Sequence, residues 1–299
     1  MSTVLRSEGQ LSPGQTARVL VEALPYIRQF AGKSVVVKLG GSSIDQQALD
    51  RALAQDILLL RSVGVRCILV HGGGPQVDAM LRRVGKEPEF ESGLRVTDAE
   101  TLEIVRMVLV GKINRDLVRT INREAGDNPV AIGVAGEDAG LLTVTPLDPG
   151  LGFVGSVTEV RASLIDRLLD DGLTPVVSTV GGDASGQPHN VNADDAARAI
   201  AVALGAQKLV YLTAAPGLLD NIEDPASLVP RMTPGELRAR LDSGTVGAGM
   251  IPKLSACAEA VESGVGSAHI IDGRVPHALL IELLTDQGVG TMIELEQQP

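Results

Sequence analysis

The chain of 299 residues contains no tryptophan, 3 phenylalanines and 2 tyrosines, so aromatics make up only 2% of it. That poverty removes the stacking platform on which single-stranded nucleic acids are held. Positive charge is also short. The 26 Lys+Arg stand against 37 Asp+Glu, a net charge of −11, and no run of lysines or arginines supplies a polyanion footprint. Nucleic acid is therefore excluded as a partner, and an anionic substrate must be met by a few cations placed locally. Cys67 and Cys257 lie far apart in apolar stretches, without C-x-x-C or a histidine at zinc spacing. Both read as reduced core residues, and no protein-held metal is expected. No stretch reaches the ~18 uncharged apolar residues of a membrane span. Residues 1–12 carry no apolar secretion segment, so the expectation is a cytoplasmic protein with no membrane partner.

Glycine, by contrast, is plentiful: 34 residues, well above the usual ~7%. The glycines sit at the ends of short Val/Ile/Leu runs at 34–39, 66–70, 174–178 and 208–212, which lack polar alternation and read as strands buried on both faces. Helical patterns at 46–63, 99–124, 162–170, 194–204 and 252–263 fall between them. The order predicts an α/β chain, a three-layer α/β/α sandwich around a mainly parallel sheet. Ahead of the first strand, Ser12-Pro13 caps a helix with Leu20, Ala23, Leu24 and Ile27 on one face and Pro25 expected to kink it. This helix either packs on its own core or serves as a partner-facing arm. The chain divides into an arm (1–32), an N-terminal lobe (33–182) and a C-terminal lobe (183–299) of one continuous domain, with the break near 181–188.

Two glycine corners carry the chemistry. In Val35-Val36-Val37-Lys38-Leu39-Gly40-Gly41, a lysine inside an apolar strand is expensive to bury without an anion. In His71-Gly72-Gly73-Gly74-Pro75, three glycines join a strand to a helix N-terminus, a cradle for anionic oxygens. Neither corner is a Walker A loop. The G-x-G-x-x-G match at Gly150, Gly152 and Gly155 precedes a Thr/Val run rather than a helix, so it reads as a hairpin or loop and not a dinucleotide fingerprint. Arg95, just before a helix, suits a carboxylate. In Asn190-Val191-Asn192-Ala193-Asp194, Asn192 or Asp194 is equally readable as a helix cap. Lys253 in the first turn of a helix opposes the helix dipole unless an anion lies beside it. The four histidines are scattered and no G-x-S-x-G elbow occurs, so phosphoryl transfer by charge stabilisation is the reading that remains.

Taken in order, these motifs, with Met107-Val108-Leu109-Val110-Gly111-Lys112, Met250-Ile251-Pro252-Lys253 and His269-Ile270-Ile271-Asp272-Gly273-Arg274, resemble the amino acid kinase family, and within it the arginine-sensitive N-acetylglutamate kinases. The resemblance implies ATP, with Mg2+ arriving on it, and N-acetyl-L-glutamate as the carboxylate acceptor in arginine biosynthesis. By the same resemblance, Lys38 and Lys253 neutralise the transferring phosphoryl group and Asp194 orients them. Gly40, Gly41, Gly72 and Gly73 supply backbone donors to the phosphate, while Gly73 also joins Gly74, Arg95 and Asn190 in holding the acceptor. It further implies inhibition by L-arginine at Tyr26, His269, Glu282 and Gly288, and a homo-oligomer, a hexamer built as a trimer of dimers. Two departures stand out: Ala214 where such kinases commonly carry Asp, and Glu137 where many carry Lys. A kinase for another acylated amino acid or small carboxylate, or a silent arginine-binding paralogue, are the alternatives.

Overall fold

The computed structural model describes residues 12–40, 47–244, 246–247 and 249–296. Helix α1 (Pro13–Phe30) leads into β1 (Ser34–Leu39), α2 (Gln47–Ser62), β2 (Arg66–His71) and α3 (Gly74–Arg83). A short hairpin, β3 (Phe90–Glu91) and β4 (Leu94–Arg95), precedes α4 (Ala99–Arg106), which runs through a π-helical segment (Met107–Asn114) into α5 (Arg115–Ala125). There follow β5 (Ala131–Ala135), β6 (Leu142–Pro146), β7 (Val154–Val160), α6 (Ala162–Asp170), β8 (Thr174–Ser178), β9 (Val180–Gly182) and β10 (Pro188–Val191). The remainder is α7 (Ala193–Ala203), β11 (Lys208–Thr213), β12 (Arg231–Met232), α8 (Pro234–Asp242), α9 (Ile251–Glu262), β13 (Ser267–Asp272), α10 (Ala278–Leu284) and β14 (Thr291–Ile293).

Eight strands form one sheet in the order β12-β14-β13-β11-β1-β2-β8-β5, parallel except where β14 meets β13. Val35 and Val37 point to one face with Leu69, Val176 and Val210; Val36 points to the other with Ile68, Val70, Val177 and Leu209. Each run is therefore apolar throughout because both faces are covered, as the sequence predicted. β6, β7, β9 and β10 close into a small barrel beside the sheet. Gly150 and Gly152 lie in the turn before β7, which pairs antiparallel with β6, so the hairpin reading of that glycine motif holds. The stretch 181–188 is a barrel hairpin in which Gly182 pairs with Pro188. Among the described residues no helix is long and apolar enough to cross a membrane.

Pro25 lies inside α1, which continues through it; the Val21 carbonyl that loses its donor belongs to an exposed residue, where water can serve it. One expectation needs correction. The helical stretch expected at 99–124 is real, but its middle two turns are π rather than α. α1 packs on its own core along one side. Ala23, Tyr26, Ile27 and Phe30 pack on the core, whereas Leu20 and Val21 are each 68% exposed and Leu24 41%.

Candidate active site

Lys38 lies on the same face of β1 as Val36, and α7 packs across that face with its N-terminus at the strand end. The cap of α7 is Asn192, whose side-chain oxygen accepts from the Asp194 and Asp195 amides at 2.8 and 3.3 Å. Asp194 is thereby freed from capping. Its Oδ1 lies 2.6 Å from Lys38 Nζ and its Oδ2 accepts from Lys253 Nζ at 2.7 Å, so one carboxylate bridges two ammoniums brought from β1 and α9. Burial alone would raise the Asp194 carboxyl, but the two lysines outweigh it and hold it below the usual range. Burial, aided by Lys253, lowers Lys38 despite the pull of Asp194. The Tyr211 hydroxyl donates to the Asp194 carbonyl at 3.0 Å and fixes the turn from beneath.

The second corner joins β2 to α3. A Cβ on Gly73 would come within 2.2 Å of Ile113 Cδ1 and 2.7 Å of Leu109 Cδ2, so only glycine lets the π segment pack against this loop. Arg95 is buried beside it. Its guanidinium pairs with Asp78 at 2.5 Å, donates to the Gly74 carbonyl at 3.3 Å and lies 4.7 Å over the Phe90 ring. Asn190 on β10 donates to Thr97 Oγ1 at 3.2 Å.

Between the corners is a cavity of about 410 Å3, within the range of small-molecule sites. Lys38, Gly72, Gly73, Gly74, Arg95, Asn190 and Asp194 all line it. Lys253 meets it through Asp194. Gly40 requires correction as a phosphate donor. Its N–H donates to the Leu212 carbonyl at 3.0 Å, and a Cβ there would be 2.9 Å from that oxygen, so this glycine serves the close approach of β1 and β11. The Gly72 N–H lies 3.4 Å from the Leu39 carbonyl, a long contact. Gly41 lies outside the described residues. Asp78, Thr97 and Thr179 were not foreseen, being scattered polar residues with no motif of their own. Glu137 forms a forked pair with Arg106 at 3.0 and 3.1 Å, away from the cavity wall. Ala214 is an exposed residue just after β11.

A second cavity, about 340 Å3, lies where α1 meets the far side of the sheet, and Tyr26, His269, Glu282 and Gly288 all line it, joined by Phe30, Lys208 and Arg231. Glu282 is already engaged: Oε1 is 2.6 Å from His269 Nδ1 and Oε2 accepts from the Val289 amide at 2.8 Å. Lys208 Nζ reaches His269 Nε2 at 2.8 Å and Ser267 Oγ at 3.3 Å. Burial pushes this lysine down to about 8.

Among known proteins, the model of the amino acid kinase family matches residues 33–272. The chain is 50% identical over 277 residues to the acetylglutamate kinase of a Synechococcus species, which covers 92% of this chain and 91% of that one. N-acetylglutamate synthase from Neisseria gonorrhoeae, complexed with coenzyme A and N-acetyl-glutamate, superimposes with a TM-score of 0.82 at 27% identity, covering 94% of this chain. The same synthase complexed with coenzyme A and L-arginine gives a TM-score of 0.79 at 27% identity, covering 94% of this chain. This chain spans 64% and 65% of those two synthase chains, just under two thirds of their length. The chain is a kinase and belongs to the amino acid kinase family.

Proposed function

We infer that this kinase transfers the γ-phosphoryl group of ATP to the side-chain carboxylate of N-acetyl-L-glutamate, and that the Lys38–Asp194–Lys253 bridge is the centre of that chemistry. An oxygen of the acceptor carboxylate attacks phosphorus, the bond to the β-phosphate oxygen breaks, and ADP leaves while an acyl phosphate forms. A carboxylate is ionised near neutrality, so the nucleophile needs no general base. What the step needs is cancellation of charge as two anions meet, and fixed ammoniums in a partly desolvated site do that best as the transfer proceeds. Asp194 holds both lysines in place between turnovers, and the Gly73 and Gly74 amides add donors at a helix N-terminus. Arg95, preset by Asp78, takes the α-carboxylate, and Asn190 reads the neutral acetamido group. Magnesium, held by phosphate oxygens and water, neutralises part of the nucleotide charge when bound.

The observation that carries this reading is one buried carboxylate bridging two lysines at the rim of a cavity that also holds Arg95 and the glycine corner. The test is ADP release with N-acetylglutamate, glutamate and aspartate as competing acceptors. An unacylated acceptor brings an ammonium toward Lys38 and Lys253, at a cost on the order of 1 kcal/mol or more. Glutamate should be a far poorer acceptor; equal kcat/KM for glutamate and N-acetylglutamate refutes the assignment. The nucleotide is assigned to the C-terminal lobe and the acceptor mainly to the N-terminal one, with Asn190 reaching it from the start of the C-terminal lobe.

The second cavity is assigned to L-arginine as inhibitor, supported by its four foreseen residues lining one space and by the arginine-bound synthase neighbour. The effector's cation must share Glu282 with His269 rather than find it free. The exposed apolar stripe of α1 supports a hexamer joined through that helix, and two buried, unpaired thiols support a reducing, cytoplasmic setting.

A further inference from the structure

His71 ends β2, is fully buried, and is not part of the cavity wall, yet it stands between that wall and the core. Its Nδ1 is 2.9 Å from the Gly72 carbonyl oxygen, and its Nε2 is 3.2 Å from Asn114 Nδ2. Asn114 is also buried, and its amide orientation is fixed independently of the histidine. Nδ2 donates to the Val176 carbonyl at 2.8 Å, and Oδ1 accepts from Arg115 Nη2. The group facing His71 Nε2 is therefore a donor, so Nε2 must be the acceptor and the ring proton must sit on Nδ1, donating to Gly72. Burial pushes the imidazole down to about 4, which agrees with a neutral ring.

The geometry of a trans peptide turns this hydrogen bond into a functional statement. The carbonyl of Gly72 and the N–H of Gly73 belong to one planar unit and point to opposite sides of it. His71 and Asn114 are on the buried side, whereas Gly72, Gly73 and Gly74 line the cavity. We propose that the Asn114–His71 pair is a positioning device: by drawing the Gly72 carbonyl into the core it aims the Gly73 N–H at the transferring phosphoryl group. The π segment is what makes the device possible. Five residues are about 1.4 turns of α-helix, which would put Asn114 well round from Leu109. With i→i+5 bonding each turn takes in more residues than in an α-helix, which brings Asn114 round toward Leu109; Leu109, Ile113 and Asn114 are all buried, with Leu109 and Ile113 against the loop. Gly133 keeps the space open, since a Cβ there would meet Asn114 Oδ1 and Arg115 Nη2.

The proposal rests on the reading that the Gly73 amide meets phosphoryl oxygens, and two tests separate its failure from failure of that reading. The first compares His71→Asn, whose amide nitrogen can stand where Nδ1 stood, with His71→Gln, whose amide reaches the Nε2 position and leaves Gly72 without a donor. His71→Gln should lose roughly 10- to 100-fold in kcat with KM for both substrates little changed, and His71→Asn should recover most of it. Full kcat in His71→Gln, or equal losses in both that follow their melting temperatures, overturns the proposal. The second needs no variant to fold. The 15N spectra of histidine-labelled wild-type protein near pH 7 should report a neutral Nδ1–H ring for His71, and an Nε2–H tautomer or an imidazolium overturns the proposal. Lys38→Ala in the same kinetic assay checks the underlying site: if it keeps full activity, the phosphoryl assignment fails whatever the tautomer is.

Discussion

Asp194 is the residue on which the site turns, because its two oxygens separate two ammoniums that would otherwise repel each other across a buried space. Lys38→Ala and Lys253→Ala should each lower kcat by roughly 100-fold or more while raising KM for N-acetylglutamate less, as the charges matter most during transfer. Steady-state kinetics on both variants checks the split. Asp194→Asn distinguishes catalysis from capping. Asn192 already caps α7, so the helix should survive and the activity should not. A smaller effect belongs to Thr97, buried with its hydroxyl donating to the Arg95 carbonyl at 2.9 Å while accepting from Asn190. Thr97→Val removes the acceptor that sets the Asn190 amide. KM for N-acetylglutamate should rise by roughly 5- to 30-fold, the equivalent of about 1–2 kcal/mol for a lost buried hydrogen bond, with kcat nearly kept.

At the scale of elements, α2 and α10 are tied by Asp56 Oδ1 and His277 Nδ1 at 2.5 Å, with His277 in a left-handed conformation at φ 61° where α10 begins. Burial pushes the Asp56 carboxyl up to about 6, against the opposing pull of His277. Between about pH 4 and 6 the folded chain keeps a proton that the unfolded chain has released, so this group's contribution to stability falls as pH rises through that window. Asp56→Asn removes the titration. Denaturant melts of both proteins should show the variant gaining on the wild type from pH 4 to 6, and a constant difference would sink the assignment. Elements of this kind also mark where the sequence was legible. The four buried strands could be found because apolar runs ending in glycine have one physical meaning in an α/β chain, and the lysine at 38 and glycines at 72–74 advertised themselves by being costly or permissive in those runs. The π segment could not be found, since Met107–Asn114 has the same residues an α-helix would use and its register is set by packing on Gly73. Asp78, Thr97 and His71 stayed silent for a related reason: each is defined by a partner more than 15 residues away or by a peptide plane, and no local pattern encodes either.

At the scale of the whole molecule, α1 presents two faces with different duties. Phe30 is buried, with the Lys208 ammonium 5.3 Å over its ring, and Tyr26 lines the second cavity, so the C-terminal half of the helix builds the assigned effector site. Leu20, Val21 and Leu24, at i, i+1 and i+4, flank that packed face and are exposed, a stripe that a lone chain would leave in water. A self-complementary contact between two copies of this stripe would cover both at once. Removing residues 1–30 would confound the two duties, because it also takes Tyr26 and Phe30 from the cavity. Leu20→Glu with Leu24→Glu is the cleaner change: both side chains are exposed, so the fold should hold, and like charges would face each other across the contact. Sedimentation velocity should then show dimers where the wild type is larger, with kinase activity retained. Arginine inhibition, titrated at subsaturating N-acetylglutamate, should weaken if the effector favours an arrangement that the assembled helices support, as differential binding to two states requires. A wild-type protein that sediments as a dimer and ignores millimolar arginine would remove both the assembly and the effector assignment, leaving the stripe uncovered and the second cavity without its ligand.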